Sequence, residues 1–183
     1  QGWGVPGALY FELPVVNLAA AGRSTRSYIR DGHWARVLKS VQPGDFVVME
    51  FGHNDGAPLV AFGARGTLPG VGNATQTVAV NGVEEVVHTF GYYLNRMSED
   101  VKALNATPII SSMTPRLNFA NGVEVVGEDH VTWASETAAA SGIHYIDHNL
   151  YTAEAYTALG ENATTALFVD RTHTDSAGAV YAA

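Results

Sequence analysis

The residue pattern predicts a three-layer α/β domain built on a parallel sheet. Short apolar runs of strand length, β-branched and almost free of charge, alternate with stretches whose apolar residues recur at helical spacing. Polar, glycine-rich loops follow the strand-like runs, the place where open parallel sheets hold their ligands. No period of roughly 20 to 50 residues repeats, which excludes a solenoid or a propeller.

Taken in order, Leu13–Leu18 is expected to be a buried strand, with Val15 and Val16 at its centre, Pro14 near its start and small residues after it. Gly22–Ser27 is the loop it feeds. Trp34, Val37, Leu38 and Val41 then mark a helix that stops at Pro43-Gly44. Asp45–Phe51 is a continuous apolar run, the pattern of a strand covered on both faces, and Gly52-His53-Asn54-Asp55-Gly56 is the loop at its end. Ala57–Gly82 reads as a long loop, functional or mobile, with room for one strand at Thr77–Val80. From Val83 onward Val86, Val87, Phe90, Leu94, Met97, Val101 and Leu104 mark one face of a single long helix, with Gly91 inside it.

Thr107–Ser112 is another buried strand, Met113–Gly122 a loop at its end, and Glu124–Ala140 a helix that Ser141-Gly142 stops. Ile143–Ile146 is the last clear strand and Tyr151–Leu159 a short helix ended by Gly160. The chain then runs through Phe168 into a loop that opens a final helix. Residues 1–183 are read as one domain cut at both ends, because they open on Gln1-Gly2-Trp3-Gly4 without methionine and stop at Tyr181-Ala182-Ala183 within a helix.

Composition removes several function classes. With 46% hydrophobic and 15% charged residues the chain is a folded protein, not a disordered one. Eighteen acidic against ten basic side chains give a net charge of -8, without the clustered Lys and Arg of a nucleic-acid binder. Arg23, Arg26 and Arg30 are expected to make one basic spot on that acidic surface. The absence of cysteine removes disulfides, thiol nucleophiles and cysteine-based zinc sites. No apolar run reaches the roughly 18 to 20 residues of a membrane span. Asn73, Asn105 and Asn162 each open an Asn-Ala-Thr triplet, an N-glycosylation acceptor where a eukaryotic cell secretes the chain.

Residues suited to chemistry stand at three loops. Asp170-Arg171-Thr172-His173 places a carboxylate three residues before an imidazole, close enough to orient the ring as a general base. Gly22 and Asn54 have the complementary property, an uncharged N–H donor that a developing oxyanion can use. Together they describe acyl transfer. Ser24, Ser111 and Ser112 are the in-chain candidates for a nucleophile, but serines in such loops mostly bond the local backbone. A metal at His144, Asp147 and His148 is disfavoured, since strand alternation puts Asp147 on the face opposite the histidines. Trp3, Trp34 and Trp133 are candidate sugar platforms or packing residues, and Arg23 and His53 in the site loops are candidates for substrate contact.

The blocks Ala21-Gly22-Arg23-Ser24, Gly52-His53-Asn54-Asp55 and Asp170-Arg171-Thr172-His173, in this order, resemble the SGNH (GDSL) hydrolases, and within them the rhamnogalacturonan acetylesterases. The likeness continues through Gly2-Trp3-Gly4, Arg23–Tyr28, Glu50-Phe51, Ser111–Pro115 and Tyr145–His148. It implies a flavodoxin-like α/β/α sandwich that removes acetyl groups from pectic polysaccharide by a serine acyl-enzyme mechanism, outside the cell and without a metal or cofactor. By the same likeness His173 is base and then acid, Asp170 its orienter, and Gly22 and Asn54 the oxyanion donors. The family's Gly-Asp-Ser block, with its nucleophile and first strand, does not occur in 1–183. The resemblance puts it before Gly2, so the chain alone is expected to be inactive. A silent glycan-binding or structural protein of the same fold is the alternative reading, as is an esterase for another acyl ester.

Overall fold

The computed structural model describes residues 2–183. In chain order its helices are α1 (Thr25–Arg30), α2 (His33–Ser40), α3 (Phe90–Ala103), α4 (Asp129–Ser141), α5 (His148–Leu159), α6 (Glu161–Thr165) and α7 (Ser176–Tyr181). Its strands are β1 (Phe46–Glu50), β2 (Thr75–Val80), β3 (Val83–His88), β4 (Thr107–Ser111), β5 (Phe119–Ala120), β6 (Val123–Glu124) and β7 (His144–Ile146). The chain forms two compact units. The larger comprises Gly22–Met113 and Glu128–Asp147; the smaller comprises the chain up to Ala21, Thr114–Gly127 and His148–Ala183.

The larger unit is built on a parallel sheet in the order β1-β4-β7, with Phe46 opposite Thr107 and Ile109 opposite His144. Helix α3 supplies most of its core. Phe90, Leu94, Met97 and Val101 recur at helical spacing and are fully buried, as are Ile110 on β4 and Ala134 and Ala138 on α4. Thr89 caps α3 by accepting from the Tyr92 N–H, and Gly142 ends α4 at φ 60°, in the left-handed region. The α/β class and the parallel sheet expected from the sequence are therefore present. Trp34 is a core residue, its Nε1 donating to Asp100 Oδ2 at 2.9 Å.

Several local expectations are corrected. Leu13–Leu18 forms no strand and Val16 is 73% exposed, because an apolar run becomes a strand only where a neighbour offers a ladder, and among the described residues none does. β1 is not covered on both faces: Phe46 and Val48 are exposed while Met49 points inward. The long helix begins at Phe90, not Val83. Asn81 (φ 52°) and Gly82 (φ 81°) form a left-handed turn that folds Val83–His88 back on Thr75–Val80 as an antiparallel hairpin, with Val87 buried. A second such turn, at Asn121 (φ 53°) and Gly122 (φ 80°), pairs Phe119 with Glu124, so Glu124 lies in β6 and α4 starts at Asp129.

The expected basic spot is absent for a charge reason. Arg26 is only 1% exposed, and it forms a two-pronged bond to Glu85 with distances of 2.7 and 2.6 Å. Its remaining nitrogen donates to the carbonyls of Leu59 and Gly66, both at 2.8 Å. Arg30 donates to the carbonyls of Ala64 and Gly63, and Arg23 pairs with Asp31 at 3.2 Å. Arg26 and Arg30 thus hold the backbone of the 57–66 loop.

The smaller unit contains the β5–β6 hairpin, α5, α6 and α7. Glu124 braces it, accepting from the Asn118 N–H at 2.8 Å while its own N–H donates to Thr157 Oγ1 at 2.9 Å. His148 opens α5, so strand alternation does not apply to it. Its ring meets Trp3 edge-on and its Nε2 lies 2.8 Å from the Ala182 carbonyl.

Gly91 tests the packing at the start of α3. By helix propensity alone, Gly91→Ala stabilises by up to about 1 kcal/mol. Here the added Cβ would lie 2.6 Å from Thr137 Oγ1 and 2.7 Å from Val71 Cα, too close for either to remain in place. Overpacking of this kind costs about 1–3 kcal/mol. Urea denaturation should show Gly91→Ala to be less stable than wild type; equal or higher stability contradicts this packing.

Candidate active site

Two loops of the larger unit, each following a region the sequence marks as a strand end, are bonded to one another residue by residue. Gly22 has φ 67°, which favours glycine, and its N–H has no acceptor among the described residues. Asn54 Nδ2 donates to the Arg23 carbonyl at 3.3 Å. Thr25 directs both its N–H and its hydroxyl at Asp55 Oδ1, at 2.9 and 2.5 Å. Asp55 is wholly buried; its N–H donates to the Gly52 carbonyl and its carbonyl accepts from the Thr67 N–H. Gly52, at φ 145°, allows the turn: a Cβ there would meet Met113 Sδ at 2.5 Å and His130 Cβ at 3.2 Å.

Arg65 completes this arrangement. Its Nη1 donates to the Gly22 carbonyl at 3.2 Å and to Asn54 Oδ1 at 2.9 Å. Both oxyanion candidates are thus brought together, with Arg65 between them. Sequence reasoning assigned no role to Arg65, Thr25 or Asp55. Asp55 had a usable signal, its place directly after Asn54. Arg65 had none, as it lies in a glycine-rich loop without periodicity. Arg23 and His53, the candidates for substrate contact, lie in these same loops; Arg23 Nε also donates to His33 Nε2 at 3.3 Å, and His53 is half-buried.

The smaller unit carries the proton-transfer pair. Asp170 Oδ1 accepts from the N–H groups of Thr172 and His173, both at 2.7 Å, while Oδ2 lies 2.8 Å from His173 Nδ1. One carboxylate therefore fixes both the turn and the ring, and leaves Nε2 as the nitrogen for proton transfer. The bond from His173, helped by the two backbone N–H groups, lowers the Asp170 carboxyl to about 2, so it is ionised at neutral pH. Around it Val169 N–H donates to the His173 carbonyl at 2.8 Å, Leu117 N–H donates to the Arg171 carbonyl at 2.9 Å, and Asp175 caps α7. The His173 side chain is 74% exposed.

The in-chain serines have other partners. Ser24 caps α1 in a reciprocal box with Ser27, at 3.0 and 2.9 Å. Ser111 Oγ donates to Glu50 Oε2 at 2.9 Å and Ser112 Oγ to Asp147 Oδ1 at 3.2 Å, and all three serines are buried. Among the described residues no group of three or more His, Cys, Asp or Glu side chains is arranged to hold a metal ion. Asn73, Asn105 and Asn162 are exposed, and Trp133 packs with Phe90 and His130.

The model of the GDSL-like lipase/acylhydrolase family matches residues 4–183. The chain belongs to this family. As a GDSL-like acylhydrolase it is a carboxylic ester hydrolase, and its relatives agree with that class. It is 36% identical over 179 residues to the rhamnogalacturonan acetylesterase of Emericella nidulans, covering 97% of this chain and 73% of that protein. It is 27% identical over 172 residues to the rhamnogalacturonan acetylesterase RhgT of Bacillus subtilis, covering 92% of this chain and 64% of that one. A crystal structure of another Bacillus subtilis protein shares the fold, with a TM-score of 0.79 at 23% identity; the match covers the whole of this chain and 47% of that one.

Asp55 gives this site a pH signature. Burial raises its carboxyl from 3.8 to about 7 against the pull of the Thr25 bonds, and its Oδ2 has no hydrogen-bond partner among the described residues. As pH rises the unfolded carboxyl ionises first, so stability falls between about pH 4 and 7 and is level above. The loss is on the order of 4 kcal/mol. Asp55→Asn keeps an oxygen for Thr25 but cannot ionise. Denaturation at about pH 4.5 and about pH 7.5 should show the variant gaining on wild type by a few kcal/mol at the higher pH; parallel behaviour contradicts the burial of a carboxyl here.

Proposed function

We propose that the protein is a carbohydrate esterase that removes acetyl groups from pectic polysaccharide of the rhamnogalacturonan type. The observation that carries the reaction class is the Asp170–His173 pair, an oriented imidazole with one nitrogen left for a proton. The polymer is suggested by two relatives, both rhamnogalacturonan acetylesterases. A nucleophilic serine in a Gly-Asp-Ser block upstream of Gly2 is part of this reading. It is supported by the family likeness and by the burial and prior hydrogen bonds of Ser24, Ser111 and Ser112.

In this mechanism the serine Oγ attacks the acetyl carbonyl carbon while His173 Nε2 takes its proton. The tetrahedral oxyanion receives hydrogen bonds from Gly22 N–H and Asn54 Nδ2. The ester C–O bond then breaks, and His173 returns the proton to the departing sugar hydroxyl. Water, deprotonated by His173, attacks the acyl-enzyme carbonyl; the bond from that carbon to the serine Oγ breaks, His173 returns the proton to the Oγ, and acetate is released. No step calls for a metal or cofactor. A polymer of this kind is met outside the cell, so secretion belongs to the proposal; Asn73, Asn105 and Asn162 are then open to glycosylation in a eukaryotic host.

Acetate release by the full-length protein tests the reading. Acetylated rhamnogalacturonan should be hydrolysed faster than acetylated xylan or a lipid ester. His173→Ala should lower kcat by roughly 10²–10⁴-fold and Asn54→Ala by roughly 10²–10³-fold. Binding of the polymer without acetate release would favour a silent glycan-binding protein instead.

A further inference from the structure

In the 57–66 loop the backbone passes through a conformation that most residues avoid. Phe62 (φ 50°), Gly63 (φ 80°) and Ala64 (φ 50°) are three successive residues in the left-handed region, which residues with a Cβ disfavour. Such conformations persist only where the surroundings impose them, and they gather at functional sites. Here the surroundings are guanidiniums. Arg26 holds Leu59 and Gly66 by their carbonyls, Arg30 holds Gly63 and Ala64, and Arg65 Nε donates to the Phe62 carbonyl at 2.6 Å. The consequence of the turn is the placement of Arg65 Nη1 between the Gly22 carbonyl and Asn54 Oδ1.

We propose that Arg65 is a positioning residue for the oxyanion donors, acting through Asn54 and Gly22. The inference rests on the esterase reading above. A guanidinium has no acceptor, so the Asn54 atom it faces has to be the carboxamide oxygen, and the amide is locked with Nδ2 on the side that donates. The positive guanidinium facing that oxygen also polarises the amide, which strengthens Nδ2–H as a donor. The bond to the Gly22 carbonyl fixes the backbone of the residue whose N–H has no acceptor among the described residues. A side chain at position 22 would press on the same nitrogen, since its Cβ would lie 3.2 Å from Arg65 Nη1.

The test is a double-mutant cycle in the full-length protein on an acetyl ester. Arg65→Ala should lower kcat by about 10–100-fold and leave KM within about 2-fold, the signature of a contact realised in the transition state. Arg65→Lys keeps a cation without the planar fork and should fall between the two; it also carries the comparison if the alanine variant does not fold. On an Asn54→Ala background Arg65→Ala should slow the reaction by clearly less than it does in the wild type, by about 10-fold at most, because one of the two donors it acts through is gone and only the Gly22 route remains. A wild-type kcat in Arg65→Ala, a change confined to KM, or full multiplicativity with Asn54→Ala overturns the proposal. If Asn54→Ala itself retains wild-type kcat, the oxyanion reading falls and this inference with it; if only Arg65→Ala does, the inference falls alone.

Discussion

A guanidinium taken out of water has to bring its partners with it. Arg26 is buried in the larger unit, and what makes that tolerable is the two-pronged bond to Glu85 together with the carbonyls of Leu59 and Gly66. Losing one member of a fully buried pair typically costs about 3–5 kcal/mol, and the partly exposed Glu85 brings the figure for this pair below that range. The demand fixes the path of the chain from Leu59 to Gly66 and ties it to the β2–β3 hairpin through Glu85. With that path set, Arg65 faces Asn54, and Thr67 donates its N–H to the Asp55 carbonyl. The bond to Arg26 also holds the Glu85 carboxyl below its ordinary range, so the pair stays charged at neutral pH.

The two sets of reactive groups are organised on different principles. Gly22 and Asn54 are far apart in sequence and depend on the 22–25 and 52–55 loops being joined, by Thr25 to Asp55 and by Asn54 to Arg23. Their alignment is a tertiary property. Asp170 and His173 need only four residues and three short hydrogen bonds within one turn. Donors that must be in place before charge develops gain from the rigid arrangement. A base that passes a proton in two directions gains from a partner that stays ionised, as Asp170 does.

That difference also explains what could be read from residues alone. The Asp170–His173 pair was legible because its geometry is local, and β4 and α2 were legible because apolar runs and helical spacing report burial directly; β7 was legible only as a short apolar stretch after a helix stop, and its His144 and Ile146 are exposed. The start of α3 was not. Val83, Val86 and Val87 fit a helical face, and only the Asn81-Gly82 turn and the pairing partner at Thr75–Val80 decide for a hairpin. Leu13–Leu18 shows the same limit from the other side, since its apolar run carries no information about whether a ladder is available. The roles of Thr25, Asp55 and Arg65 are contacts across long stretches of chain, and no spacing rule encodes them.

The most direct test of the account is where a serine-reactive fluorophosphonate attaches to the full-length protein, mapped by peptide mass spectrometry in wild type and in His173→Ala. The account predicts a single labelled serine on the amino-terminal side of Gly2, with labelling lost when His173 is removed. Labelling of Ser24, Ser111 or Ser112, or labelling that persists without His173, would contradict it.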